Sequence, residues 1–369
     1  MPELLNDDQR ALRLRAAAFA QDELMPRRGM DHKSAREEVV QAAKAAGFYT
    51  MTQPAEFGGN PATVVELTIV RDELAASNAP HADAVFGPGP GVLAGVGEPL
   101  ASGYLAPVLA GTKRGAFGFT EPDDAPRPTS GRLEADELIV TGQKSYVTGG
   151  EHADFINTLV QIEDHGPALV VIDTHAAGVI RERTFASLDG SRHAAFRFEE
   201  VRVPRSHVIG EPGEGLPRAM RQIGDTRLAI AAQCVGAMRF VLDLLTTHLK
   251  APDRSGSARG NKEGVRLRYA DLRIKAYAAR SMLYRTARLA DSGANVINEG
   301  MACKVFATES AGVIVDTAIQ LVGGSALVES HPLAELYRRL RALRLAEGGS
   351  DVLRLNLARG RLDLDKGRI

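Results

Sequence analysis

Apolar positions change their period twice along the chain. Over residues 1–112 they recur every three or four places: Leu12, Ala16 and Phe19 share one helical face, and Val39, Val40, Ala43 and Ala46 share a second that ends at Gly47. A turn-like stretch, Phe48–Gly59, interrupts, and a helical pattern resumes over Ala62–Ala76. From Arg114 the period shortens. Gly115–Phe119, Leu138–Gly142, Phe155–Gln161, Ala168–Asp173, Val179–Arg183 and Ala195–Val203 are short runs rich in β-branched and aromatic residues, parted by Gly, Pro, Asp and His. Strands at this spacing without helices between them predict an antiparallel barrel or sandwich over residues 113–213. Pro212-Gly213-Glu214-Gly215 marks the next boundary.

Beyond it, over residues 214–369, the helical period returns in three long seams. Ile223, Arg227, Ile230, Cys234, Met238, Val241 and Leu245 form the first, and Val265, Tyr269, Leu272, Ala276, Ala279 and Leu283 the second. Ile297, Met301, Val305, Thr308, Gly312, Val315, Ile319 and Val322 form the third. Long helices with such seams and short connections make a bundle. The fold class predicted is α+β in three parts: an N-terminal helical domain, a middle antiparallel β domain and a C-terminal helical bundle.

Composition narrows the function classes. The 369 residues suffice for two or three domains, and a net charge of −1 argues against nucleic acid or an anionic membrane as the main partner. The N-terminus lacks an apolar signal core and no apolar run reaches bilayer-spanning length, which points to the cytoplasm. Cys234 and Cys303, each inside a helical pattern, read as reduced core thiols. The nine histidines form neither a His-Glu-x-x-His pair nor a His/Cys cluster, so no metal site is expected. Gly87-Pro88-Gly89-Pro90-Gly91 reads as a plain loop, because its prolines obstruct a phosphate-cradling turn and no apolar strand precedes it. The basic run Arg338–Arg344 reads as a solvated helix face.

Two charged residues occupy apolar registers. Leu336, Leu340 and Leu343 recur at helical spacing, and the next place in that series is Glu347. Gly348-Gly349 then breaks the helix, Ser350 can cap a new one with Asp351 in its first turn, and Gly360 stands past its end. Beside Leu345 and Ala346 the carboxylate is poorly solvated, and burial lifts its pKa toward the range of a general base. A helix end in water is the other reading. Arg227 sits in the first bundle seam, where an unpaired charge is expensive. It either reaches the surface or pairs with Asp225 or Glu309, or else it serves a ligand.

The motifs around these residues resemble a known family. Gln320-Leu321-Val322-Gly323-Gly324, Pro332, Tyr337-Arg338 and Glu347-Gly348-Gly349-Ser350 are similar to the C-terminal signature of the acyl-CoA dehydrogenases, with Arg339 in place of an Asp and Gly349 in place of a Thr. Pro54-Ala55-Glu56-Phe57-Gly58-Gly59 resembles a turn of the family's N-terminal domain. Phe119-Thr120-Glu121-Pro122 resembles its Thr-Glu-Pro, and Gly142–Gly149 its Gly-x-Lys-x-(aromatic)-Ile-(Thr/Ser)-Asn. Asp225-Thr226-Arg227 is similar to the motif opening the first bundle helix.

The resemblance implies FAD as cofactor, an acyl-CoA substrate, an electron-transfer flavoprotein as acceptor, and a four-helix C-terminal bundle that builds a homotetramer, or else a dimer or a heterotetramer. It implies that Glu347 removes the α-proton of the thioester, whose oxygen is held by the Glu347 N–H and a flavin hydroxyl. Phe119, Thr120, Tyr146, Val147 and Thr148 would hold the flavin ring, with Thr120 at its pyrimidine end, Tyr146 over its face and Thr148 near N5. Arg254, Gln320, Gly323, Gly324, Gly349 and Asp351 would complete the cofactor contacts, and Asp225, Arg227 and Gly348 would lie on the substrate side. Two features of the pattern are missing. Asp123-Asp124-Ala125-Pro126-Arg127 replaces Gly-x-Gly-Ser-Asp, and Arg254-Ser255-Gly256-Ser257 lacks the Phe of Arg-x-x-Phe-Gly. A half-site subunit of a hetero-oligomer and an O₂-using oxidase of the same fold therefore stay open beside the dehydrogenase.

Overall fold

The computed structural model describes residues 4–367 and 369. Its helices are α1 (Asp7–Phe19), α2 (His32–Ala45), α3 (Val64–Ala76), α4 (Ala106–Ala110), α5 (Gly215–Lys250), α6 (Glu263–Asp291), α7 (Ile297–Val322), α8 (Pro332–Leu343) and α9 (Ser350–Leu362). Its strands are β1 (Gly115–Gly118), β2 (Ser130–Glu134), β3 (Glu137–Thr148), β4 (Phe155–Ile162), β5 (Gly166–Asp173), β6 (Val179–Ala186), β7 (Arg192–Pro204) and β8 (Val208–Ile209). The chain divides into a helical unit, residues 4–51, 62–86 and 224–369, and a sheet unit, residues 52–61 and 87–223.

In the helical unit, α1 and α3 each begin with a capping box, Asn6 with Gln9 and Thr63 with Glu66. The main core joins Cys234, Met238, Val241 and Leu245 of α5 to Leu272 and Leu283 of α6, Ala307 and Ile314 of α7, and Leu333, Leu336 and Leu340 of α8. This is the expected bundle, and α3 also enters it through Val65 and Ile69. Every position of the α5 seam is buried. The α7 seam fails at its first place, Ile297, which opens the helix and is 56% exposed. Both α5 and α7 are in fact long and apolar enough to cross a membrane, contrary to the expectation from the sequence that no segment reaches that length. Their apolar faces are instead spent on the bundle core.

The sheet unit holds an eight-stranded sheet in the order β6-β7-β3-β2-β4-β5-β8, with β1 also on β4. It is mixed rather than antiparallel. β1 and β2 both run parallel to β4, at Gly115↔Phe155 and Ser130↔Gln161 respectively. The loop between them leaves that edge and returns to it, so the chain resumes in the same direction. One core is shared by Leu138, Val140, Val147, Ile156, Val160, Val170, Phe196 and Phe198, so the sheet folds over upon itself. Phe155, Leu169 and Val171, on the other face of β4 and β5, are covered by Val92, Leu93, Leu105 and Leu109. Gly87–Pro90 is irregular, as expected, and leads into a short 3₁₀ turn over Gly91–Leu93.

Candidate active site

In the helical unit, α8 stops at Leu343 and α9 starts at Ser350, so Glu347 lies on the turn between them rather than on the leucine seam. It is half-buried and adopts a left-handed backbone, φ +53°. Leu345, the expected shield, is 64% exposed because the turn points it outward. Burial nevertheless holds the Glu347 carboxyl above the usual carboxylate range, against the opposing pull of Arg227 and Lys304. Arg227 is buried, and its Nε donates to the Glu347 carbonyl at 3.0 Å. Neither of the partners expected for it is the one found: the Glu309 carboxylate accepts from Arg344 at 2.5 Å, while the exposed Asp225 acts on Arg71. Gly348 follows at φ +101°, and a Cβ there would stand 2.9 Å from Leu353 Cδ2.

Lys304 of α7, which the motifs did not single out, completes this turn. Fully buried, it donates through Nζ to the carbonyls of Arg344 at 3.1 Å and Gly348 at 2.9 Å. The signal was present. Lys304 stands three residues after Met301 and four before Thr308, a charge on a core face just as Arg227 is.

Three local expectations change. Gly349, not Ser350, is the N-cap of α9, Ser350 being its buried first residue, and Gly360 lies inside that helix. Asp351 is exposed and paired with Arg354 one turn on, at 2.9 Å. Arg339 and Arg344 of the basic run turn toward protein partners, Asn78 and Glu309, rather than standing free in water.

Arg254 is exposed in the connection from α5 to α6, and Gln320 is exposed in the last turn of α7. Gly323 ends α7 at φ +90° and Gly324 begins the next turn, with open space where either Cβ would stand. The ends of α5 and α7 meet where His248 bonds the Leu321 backbone. Bare backbone of this kind can approach a phosphate closely.

In the sheet unit, β3 carries a register shift between Lys144 and Val147, and within it Tyr146 takes φ +52° and is 60% exposed. Thr148 and Thr120 are exposed too, whereas Val147 is fully buried and offers only its backbone. The Thr120 carbonyl accepts from the Ser145 N–H at 2.8 Å, which stitches the loop after β1 to the residue before Tyr146. Phe119 stacks on Phe117 at 5.9 Å. A second clasp is Lys144, buried, donating to Glu121 Oε1 at 2.7 Å. Burial lifts Glu121, but the bonds from Lys144 and Thr129 outweigh it and hold its carboxyl below the usual range. Phe185 and His193 were not foreseen: Tyr146 meets Phe185 edge-on at 5.5 Å, Phe185 stacks on His193, and His193 Nδ1 lies 3.2 Å from Thr148 Oγ1.

These features suit FAD. In the sheet unit an exposed aromatic face beside two exposed hydroxyls matches a planar, polar-edged ring, and in the helical unit, taken by itself, open glycine backbone matches a phosphate. The structure thus gathers Glu347, Gly348 and Arg227 at one turn, and Phe119, Thr120, Tyr146, Val147 and Thr148 at another place in the sheet.

Comparison with known proteins agrees. Residues 6–98 match the N-terminal domain of acyl-CoA dehydrogenases and residues 213–362 match their C-terminal domain. A 3-(aryl)acrylate reductase of Clostridium sporogenes is 27% identical over 94% of this chain and 96% of its own. The mitochondrial short-chain specific acyl-CoA dehydrogenase of Bos taurus is 25% identical over 96% of this chain and 90% of its own. The crystal structure of a probable acyl-CoA dehydrogenase from Mycobacterium abscessus superposes with a TM-score of 0.84 at 25% identity, covering 96% of this chain and 98% of that one. Matched at both ends by the family's domains and along nearly its whole length by its members, the chain belongs to the acyl-CoA dehydrogenase family of FAD-binding oxidoreductases.

Proposed function

We propose that this chain dehydrogenates an acyl-CoA or acyl-carrier thioester between its α and β carbons, giving the trans-2-enoyl thioester, with Glu347 as the base. The observation that carries this reading is the Glu347 turn, where a half-buried carboxyl with a raised pKa sits on left-handed backbone whose carbonyl Arg227 anchors. A carboxylate so placed is more basic than a solvated one, and the backbone that carries it is held by Arg227, as a base for an α-proton requires. The Glu347 N–H would donate to the thioester oxygen as charge gathers there, with Gly348, Arg227 and Asp225 on the substrate side.

FAD, when bound, supplies the acceptor for the hydride leaving the β carbon. Thr120 and Thr148 would donate to the edge of its ring, and Tyr146 would pack on the face, with Phe119 and the Val147 backbone behind. Arg254, Gln320, Gly323, Gly324, Gly349 and Asp351 would serve the remainder of the cofactor. An electron-transfer flavoprotein would take the electrons onward, and the working enzyme would be a cytoplasmic homotetramer acting in fatty acid metabolism.

Glu347→Gln is expected to keep a yellow protein and to slow bleaching of the flavin by acyl thioesters about 10²–10⁴-fold, read anaerobically at the flavin absorbance. Bleaching at the native rate would remove Glu347 from the chemistry. A second reading, a half-site subunit needing a partner, is favoured by the Asp123–Arg127 loop, which lacks the family's Gly and Ser and is mostly exposed. It requires that the protein purified alone be colourless and gain colour on co-expression with a related subunit.

A further inference from the structure

We infer that Lys304 is the positioning residue of the Glu347 turn, its buried ammonium clamping the carbonyls on either side of the base. The inference rests on the reading of Glu347 as the base.

The turn from α8 to α9 spans residues 344–349 and contains two consecutive left-handed residues, Glu347 at φ +53° and Gly348 at φ +101°. For Glu347 that backbone is strained and persists only where the surroundings impose it. A helix end also leaves carbonyls that need donors. Both needs are met by two cations from outside the turn. Arg227, on α5, donates to the Glu347 carbonyl at 3.0 Å. Lys304, on α7, donates to the carbonyls of Arg344 at 3.1 Å and Gly348 at 2.9 Å, before and after the base. These are charge-assisted bonds, stronger than neutral ones.

Lys304 is 0% exposed, and burying an ammonium against carbonyls alone is expensive. Methionine would fill the same space without that cost. The charge therefore has a use, and Glu347 feels it: Lys304 and Arg227 both lower its pKa against the burial that raises it. The groups acting on Lys304 are Cys234 and Arg227 from α5, Glu347 from the turn and Glu309 from α7. Burial pushes its own pKa down to about 8; Cys234, Glu347 and Glu309 oppose that fall, and Arg227 adds to it. The clamp is thus charged at neutral pH and loses its charge in mild alkali.

The test uses the FAD-loaded protein with Lys304→Met and Lys304→Gln. The first removes charge and donors; the second removes charge but keeps two N–H groups. Lys304→Met is expected to lower kcat about 10²-fold, as misplacement of a reacting group does, with little change in KM. Amide exchange over residues 344–350, followed by mass spectrometry, should rise with it. Lys304→Gln should recover part of kcat and of the exchange protection. In both, the acid limb of the kcat/KM profile should move up by about one pH unit, because the base has lost a neighbouring cation. A merely structural lysine would lower the rate equally at every pH. Native exchange over 344–350 with an unmoved acid limb overturns the inference, and that outcome in Lys304→Gln alone overturns it equally should Lys304→Met not fold. Glu347→Gln separates the two readings. If it remains active, the base is wrong; if it is dead while the Lys304 variants behave as native, only the clamp is wrong.

Discussion

Gly348 shows how little freedom the base turn has. Its φ of +101° disfavours any L side chain, and a Cβ would meet Leu353 at 2.9 Å and Arg227 Nη2 at 3.5 Å. Gly348→Ala is expected to destabilise the protein by about 1–3 kcal/mol, seen as a lower Tm, and to reduce turnover by shifting the backbone of its neighbour. At Glu347, burial sets the sign of the pH dependence. With its carboxyl above the usual carboxylate range, the acid limb of kcat/KM should lie higher than for an exposed glutamate. The sequence marks Glu347 and Arg227 as charges in apolar registers. The structure buries Arg227 on its seam and carries Glu347 off the leucine seam onto a turn, and the roles given to both rest on the family resemblance. The source of the shielding was not legible, since it comes from elements distant in sequence while Leu345, next door, faces out.

Among elements, α3, α5 and α6 are tied by a buried carboxylate. Asp72 of α3 is 0% exposed and accepts from Arg239 of α5 at 2.8 Å and from the Tyr284 hydroxyl of α6 at 3.0 Å, with Arg280 at 3.2 Å. Asp72→Ala leaves the buried Tyr284 hydroxyl without its acceptor and takes one of two carboxylate partners from Arg239, which keeps Glu73 at 3.0 Å, so unfolding in urea should show a loss of about 3 kcal/mol. Nothing in the sequence singles Asp72 out, because its partners are far along the chain. The strands were easier where they were apolar. Each of the six foreseen runs falls on a strand, although Phe119 lies just past the end of β1 and the other five strands extend beyond their runs. β2 was missed because Ser-Gly-Arg-Leu-Glu is polar and its hairpin turns through Ala135 at φ +51°, without the Asn-Gly or Asp-Gly that usually marks such a turn. β8, two residues long, carries no periodicity to read.

Over the whole molecule, buried thiols and phenols set the alkaline limit. Burial pushes Cys234 and Cys303 from 9.0 up to about 12, and it raises Tyr104 and Tyr284, with Asp173 and Asp72 adding to the rise. The folded chain keeps protons that the unfolded chain releases above about pH 9–10, so each group removes about 1.4 kcal/mol per pH unit once its unfolded pKa is passed. Lys304 has the opposite sign. Depressed from 10.5 to about 8, it adds stability as pH rises through that window. Arg71, depressed by burial from 12.5 to about 10, adds a second gain that starts only near pH 10. Two gains against four losses predict a urea midpoint that holds or rises slightly from about pH 8 to 9 and falls from about 9 to 11. A midpoint still climbing at pH 11 would contradict these burials.

The order of the two units along the chain has a consequence for biosynthesis. Val65 and Ile69 leave the ribosome early, yet the α5 and α6 residues that cover them, such as Met238 and Leu283, are translated only after the entire sheet has been made. Until then the nascent chain carries an uncovered greasy helix, while the sheet unit already has nearly all its strands in hand. Sheet first and helices last is the sequence of events this connectivity favours, and the waiting N-terminal segment is where a chaperone would be needed.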